Sequence, residues 1–195
     1  MLKLVVATGN PGKLQEMQAY LAESIAELTL KPEELDIEET GTTFIENAGL
    51  KASQVAKALG HWSIADDSGL EVNALNGAPG LFSARYGATD RDRISRLLRE
   101  LGNSPDRSAQ FVCALALAQP DGMIVLQAQG ICPGEILTAP SGSGGFGYDP
   151  IFYVPAQGMT YAEMPAEIKH QISHRGRAFA KLLPQLKNIA TQSLS

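Results

Sequence analysis

Paired carboxylates, lysines and glycine-bearing loops recur along this sequence in arrangements that suit phosphate chemistry. Glu38-Glu39 precedes one helical stretch, and Asp66-Asp67 stands at the end of an extended one. Magnesium is commonly held by one or two carboxylates together with water and substrate phosphates, so either pair could serve. Successive strand residues point to opposite faces, so only one of Asp66 and Asp67 would enter a given site. The residue types alone leave open which. Solvated turn carboxylates are the plainer alternative for each pair. Without a nucleophilic Ser–His or Cys–His arrangement, the chemistry that fits is attack by water, with a carboxylate as base and a metal to neutralise charge.

Three other stretches carry ligand-binding chemistry. Thr8-Gly9-Asn10-Pro11-Gly12-Lys13 lies between a strand-like and a helix-like run. Such a loop offers backbone N–H groups and the positive end of a helix to phosphate oxygens, and Lys13 adds a mobile charge. It is not a Walker A loop, which needs four residues between its glycines and Ser or Thr after Lys. An ordinary strand-to-helix turn reads the same. In Gly145-Phe146-Gly147-Tyr148-Asp149-Pro150 the small residues would let a flat base approach the Phe146 ring, and Asp149 could accept a base N–H. The plain alternative is an aromatic plug under a loop. Lys169, His174, Arg175 and Arg177 cluster around the expected start of the last helix, where the macrodipole disfavours cations. An electronegative ligand among them would explain their placement, as would a solvated basic patch.

The elements that must position these groups follow from pattern. Leu2 to Ala7 is an apolar run expected to form a buried strand, and Leu14, Met17, Leu21 and Ile25 follow at helical spacing. A second extended stretch is expected to end near Ile37. Thr43 and Glu46 form a capping box for a helix whose stripe is Phe44, Ala48, Ala52, Val55 and Leu59, ended by Gly60. Asn47 and Lys51 lie four apart on the edge of that stripe. Trp62–Ala65 is extended, breaks at Asp66-Asp67-Ser68-Gly69 and resumes at Leu70–Val72. Residues 73 to 90 read as a long loop, and Arg91–Leu101 as a helix. Gln110–Ala118 and Met123–Gln129 are strands joined through Gln119-Pro120-Asp121-Gly122, which suits a type I turn and an antiparallel hairpin. The final helix is expected to begin after Ser173 and to kink at Pro184. Parallel crossovers and a hairpin together predict one α/β unit, residues 1–195, with a mixed sheet.

Bulk properties exclude several classes. Hydrophobic residues make up 44% of the 195 and charged residues 19%, a globular rather than disordered composition. The net charge of −5 gives no attraction to nucleic acid or an anionic membrane, and no interleaved basic–aromatic stripe occurs. Cys113 and Cys132 lie in strand-like runs and read as buried free thiols. Met1–Ala7 is too short for a signal peptide, and no apolar run approaches the ~20 residues that span a bilayer, so a cytoplasmic protein is expected.

Taken together the motifs resemble the inosine triphosphate (non-standard purine NTP) pyrophosphatase family. The matching elements are Thr8 to Lys13, Glu38-Glu39-Thr40-Gly41, Thr43-Phe44-Ile45-Glu46-Asn47-Ala48 and Ala65-Asp66-Asp67-Ser68-Gly69-Leu70. They continue with Pro79-Gly80, Ser83-Ala84-Arg85-Tyr86, Gly144 to Pro150 and Ile172-Ser173-His174-Arg175-Gly176, in the family's order along nearly the whole chain. The resemblance implies a two-lobed α/β fold with a long twisted mixed β-sheet flanked by helices and an active-site cleft between the lobes. It implies a homodimer, dependence on Mg²⁺, and hydrolysis of ITP, dITP or XTP to the monophosphate and pyrophosphate. It implies that Thr8, Gly9, Asn10, Pro11, Gly12 and Lys13 hold phosphates, that Glu38 and Asp67 hold Mg²⁺, and that Asp67 is the base activating water. Lys51 would stabilise phosphate charge and Ser68 would touch substrate. Phe146, Gly147, Tyr148, Asp149, Lys169, His174 and Arg175 would form the base pocket. A Maf-like pyrophosphatase of modified pyrimidine nucleotides is the rival enzyme, opposed by the Ser-His-Arg and Phe-Gly-Tyr-Asp elements. A non-catalytic nucleotide sensor is the rival of another class, and it could dispense with the paired carboxylates.

Overall fold

The computed structural model describes residues 2–21 and 26–192. Its elements run β1 (Leu2–Val6), α1 (Pro11–Tyr20), β2 (Ala26–Leu30), α2 (Phe44–Leu59), β3 (Trp62–Val72), α3 (Asp90–Leu101), β4 (Ser108–Ala118), β5 (Ile124–Ile136), β6 (Phe152–Val154), β7 (Met159–Thr160), α4 (Ala166–Ile172) and α5 (His174–Gln192). The strands form one seven-stranded sheet in the order β2-β1-β3-β4-β5-β6-β7. β1 pairs parallel with β2 and β3, whereas β6 pairs antiparallel with β5 and β7, so the sheet is mixed as expected. Among the described residues no helix is long and apolar enough to cross a membrane.

Local chemistry sets the helix ends that matter. Thr43 Oγ1 accepts the Glu46 N–H, Glu46 returns the bond, and Gly60 closes α2 at φ +65° in the left-handed region. Asn10 caps α1 by accepting the Gly12 and Lys13 N–H groups, with Pro11 in the first helical position. Ile25, expected on the stripe of that helix, lies outside the described residues. The turn between β4 and β5 closes with the Gly122 N–H on the Gln119 carbonyl, and Gly122 sits at φ +86°.

The chain divides into two compact units. The first comprises residues 1–67, 113–130 and 175–195, the second residues 68–112 and 131–174. Each has its own core. In the first, Leu4 and Val6 of β1, Ile64 of β3, Leu115 and Leu117 of β4, and Phe179, Leu182 and Leu186 of α5 are buried together with Met17. In the second, Leu70 and Val72, Leu97 of α3, Phe111, Ile136, Phe152 and Tyr161 are buried together. Cys113 and Cys132 are buried thiols outside any disulfide, as their strand context predicts.

Several expectations need correction. The second extended stretch is β2, which ends at Leu30, and Ile37 lies outside any strand. β3 does not break at Asp66–Gly69 but runs through it, because partner side chains meet the carboxylates and the backbone ladder can continue. Residues 73 to 90 contain short 3₁₀ turns over Asn73–Leu75 and Gly80–Arg85. β5 extends beyond Gln129 to Ile136, and the short helix α4 precedes the last one. The last helix, α5, continues past Pro184 to Gln192, as its pattern predicts.

Candidate active site

In the first unit two ionic clusters are built on consecutive residues of β3. Asp66 is fully buried. Its Oδ1 is 2.6 Å from Lys13 Nζ, and its Oδ2 accepts Arg175 Nε at 2.9 Å and the Cys113 thiol at 3.0 Å. Arg175 also donates to Glu16 of α1. Burial opposes the Asp66 charge, but Arg175 and then Lys13 outweigh it and hold the carboxyl well below the usual range. Burial and the Asp66 charge push the Cys113 thiol well up, so it stays protonated and donates.

Asp67 points the other way, as strand alternation requires. Its Oδ1 is 2.9 Å from Lys51 Nζ, and that ammonium is 2.8 Å from Glu39 Oε1. Burial raises the Asp67 carboxyl. Lys51 pulls it back only in part, and the Glu39 charge adds to the rise. Lys51 answers both carboxylates, so although burial opposes its charge, Asp67 and Glu39 leave its pKa raised. Asp67 is therefore the more basic of the two aspartates, held beside a fixed positive charge.

The segment before α2 selects Glu39 over Glu38. The Glu38 N–H and carbonyl both bond the Gln54 side chain, at 3.2 and 3.0 Å, and its own side chain is exposed. Glu39, the next residue, turns inward onto Lys51. Gly41 donates its N–H to Asn47 Oδ1 at 2.8 Å, and a Cβ there would fall 2.7 Å from the same oxygen. Only glycine lets this segment press so closely on the helix start. Glu39 joins Asp67 through Lys51, and the side chain of Glu38, expected to hold Mg²⁺ with Asp67, is exposed beside them in sequence. Carboxylate oxygens are the hard donors that a divalent cation takes together with water and phosphate.

The loop of Thr8 to Lys13 is placed as expected, but its amides are used differently. The Gly12 and Lys13 N–H groups bond Asn10 Oδ1 at 2.9 and 3.2 Å, and the Asn10 N–H bonds Thr8 Oγ1 at 3.1 Å. The Lys13 ammonium therefore carries the charge this loop presents. A Cβ on Gly9 would meet nothing within 4 Å, so space is open there.

In the second unit the aromatic loop is tied by carboxylates. Asp149 Oδ2 accepts the Phe146 N–H at 3.0 Å and is 2.7 Å from Lys169 Nζ of α4. A Cβ on Gly145, at φ +72°, would fall 1.9 Å from that oxygen, so glycine is required. Lys169 Nζ lies 5.3 Å from the centres of the Phe146 and Tyr161 rings. The Tyr148 hydroxyl donates to the Ser83 carbonyl at 2.8 Å, and burial pushes its pKa up, so it anchors the 3₁₀ turn. His174 stacks on Phe111 with ring centres 4.7 Å apart. Ser68, half-buried, follows Asp67 on β3.

Arg175, expected in the base pocket, has partners within the protein. It belongs to the first unit, and its guanidinium engages Asp66 and Glu16. The electronegative partner that cations at this helix start demanded is supplied by the protein's own carboxylates. Sequence reasoning missed Glu16, and it named Glu39 within its pair without giving it a role. Glu16 stands three residues after Lys13 on one helical face, a spacing that could have revealed it.

Comparison with known proteins identifies the family. The model of the Ham1 family matches residues 4–185. A dITP/XTP pyrophosphatase from Nostoc sp. is 66% identical over 190 residues, covering 97% of each chain, and one from Synechocystis sp. is 60% identical over 185, covering 95% of each. The Staphylococcus aureus Ham1 protein superposes with a TM-score of 0.85 at 44% identity, covering 95% of this chain and 98% of that one. A nucleoside-triphosphatase / dITP/XTP pyrophosphatase from Mycobacterium abscessus gives 0.74 at 43%, covering 94% and 100%. The chain belongs to the Ham1 family.

Proposed function

We propose that this protein hydrolyses non-standard purine nucleoside triphosphates, dITP and XTP with ITP, to the monophosphate and pyrophosphate, using Mg²⁺. The observation that carries the reading is Asp67, a carboxylate of raised basicity beside Lys51 and Glu39. The names of relatives at 50–66% identity point to the same substrates.

Asp67 is the base in this reading, since a carboxyl raised above its ordinary value takes a proton from water more readily. Glu39 and Asp67 would hold Mg²⁺, which when bound neutralises phosphate charge. Lys51 and Lys13 bring ammonium groups to the phosphates, each already fixed on a carboxylate so that little side-chain freedom is lost on binding. In the second unit Phe146 offers a ring face to the base, and Lys169 a donor for the 6-oxo group of hypoxanthine or xanthine. Adenine, with an amino donor at that position, would set one donor against another. Asp66 and Arg175 serve as supports for Lys13 rather than as base contacts.

The deciding assay incubates the protein with Mg²⁺ and ITP and identifies the released phosphate. Pyrophosphate is the expected product. Orthophosphate, or turnover confined to modified pyrimidine nucleotides, would overturn the reading. ITP binding without turnover would make the protein a sensor.

A further inference from the structure

Phe146 hangs between two glycines in the left-handed region, Gly145 at φ +72° and Gly147 at φ +62°. Glycine adopts such angles readily but holds them weakly, so the loop needs outside restraint to present one ring position. Two carboxylates supply it. The Phe146 N–H bonds Asp149, three residues on, and the Gly147 N–H donates to Asp90 Oδ2 at 2.7 Å from a separate element.

Asp90 is itself held. It opens α3, where Thr89 and Asp92 close a capping box that fixes its backbone. Arg93 Nη1 is 2.7 Å from Asp90 Oδ1, and Arg93 Nε donates to the Gly87 carbonyl at 3.2 Å. A Cβ on Gly87 would fall 2.7 Å from the Arg93 nitrogen, so the turn sits directly against the helix start. The result is a strut from α3 through Asp90 to the amide that follows Phe146. Asp90 contributes nothing to the core: the buried face of α3 is Ile94, Leu97 and Leu101, and the Asp90 side chain is 47% exposed.

We propose that Asp90 is a positioning residue that sets base selectivity by fixing Gly147 and so the Phe146 ring beneath Lys169. The inference rests on the reading that this loop takes the base. Its requirement is an acceptor oxygen toward Gly147, not a negative charge, which separates it from a role in helix stability.

The test compares Asp90→Ala and Asp90→Asn with wild type for ITP and ATP, reading KM and kcat separately, inhibition by pyrophosphate, melting temperature, and hydrogen exchange of the Gly147 amide. Asp90→Ala should raise KM for ITP about tenfold, as expected for one lost hydrogen bond, with kcat near wild type because Asp67 and Lys51 are untouched. The preference for ITP over ATP should narrow by a similar factor, pyrophosphate inhibition should not change, and Gly147 should exchange faster. Asp90→Asn should restore most of the KM, since its amide oxygen still accepts the Gly147 N–H. Equal defects in both variants, an unchanged KM and preference in Asp90→Ala, or a matching loss of pyrophosphate binding would overturn the proposal. Wild-type protein that leaves ITP intact would instead overturn the substrate reading, and this inference with it.

Discussion

The two faces of β3 treat identical residues in opposite ways. On one face Asp66 meets Lys13 and Arg175, so two cations face two carboxylates once Glu16 is counted. On the other face Lys51 bridges Asp67 and Glu39, and the Lys13 charge reaches Asp67 as well. Both aspartates are buried, and burial raises a carboxyl wherever it acts alone. The balance of burial against neighbouring charge decides the outcome: Arg175 and Lys13 drive Asp66 well below its ordinary value, whereas Lys51 offsets burial only in part and Asp67 stays above its own. A lowered carboxylate is a permanent anion suited to holding other groups in place. A raised one can accept a proton, and a cation that arrives with substrate can complete its charge balance.

The comparison fails most visibly if Asp66 can be neutralised without harm. Asp66→Asn leaves Lys13 and Arg175 short of a partner, and breaking a buried ion pair costs about 3–5 kcal/mol. Urea unfolding should register a loss of that size, with Arg175→Ala similar. The sign with pH is fixed by the lowered pKa. The stability Asp66 confers is fully present above its unfolded value near 3.8 and is lost as pH falls through the lower folded value. The gap between wild type and Asp66→Asn should therefore stay constant down to that range and close below it. A gap of less than ~1 kcal/mol at neutral pH would show that the pair carries no such weight.

Asp67→Asn should do the reverse, leaving the urea midpoint nearly unchanged while ITP turnover falls by ~10²-fold or more. Substantial remaining activity would remove Asp67 from the role of base. The glutamates sharpen the assignment further. Glu39→Gln should raise the Mg²⁺ concentration for half-maximal turnover roughly tenfold or more, the loss typical of a disturbed metal site. Glu38→Gln, exposed and held by its backbone, should change it little, and the opposite ranking would reverse our choice between them. Smallest is Lys13→Met, which should weaken ITP and ATP by one common factor of roughly tenfold, because both carry the same phosphates. A loss confined to one base would place Lys13 elsewhere.

How much of this could be read in the sequence depends on whether the signal was local. The capping box of α2, its glycine stop and the β4–β5 turn are written within a few residues, and the structure has them where expected. The opposite orientation of Asp66 and Asp67 followed from strand alternation alone. The continuity of β3 did not, because four polar or small residues look like a break until partners from α1, α2 and α5 are known. The same limit explains Arg175, whose partner Asp66 lies 109 residues away. Glu38 and Glu39 are indistinguishable as letters. Only the Gln54 side chain, clasping the Glu38 backbone, settles which one turns inward.

The first unit is assembled from three separated stretches, and the last of them begins at Arg175. During synthesis the amino-terminal portion emerges long before the guanidinium that balances Asp66. It also lacks Phe179, Leu182 and Leu186, which complete its core. That unit cannot reach its final state on the ribosome until the carboxy-terminal helix has left the exit tunnel. The contacts that close it are among the most distant in the chain, the kind whose loop-closure entropy slows folding. Nascent chains ending before residue 175 would hold a charged strand and an open apolar face, and would be targets for chaperones or proteases rather than partial enzymes.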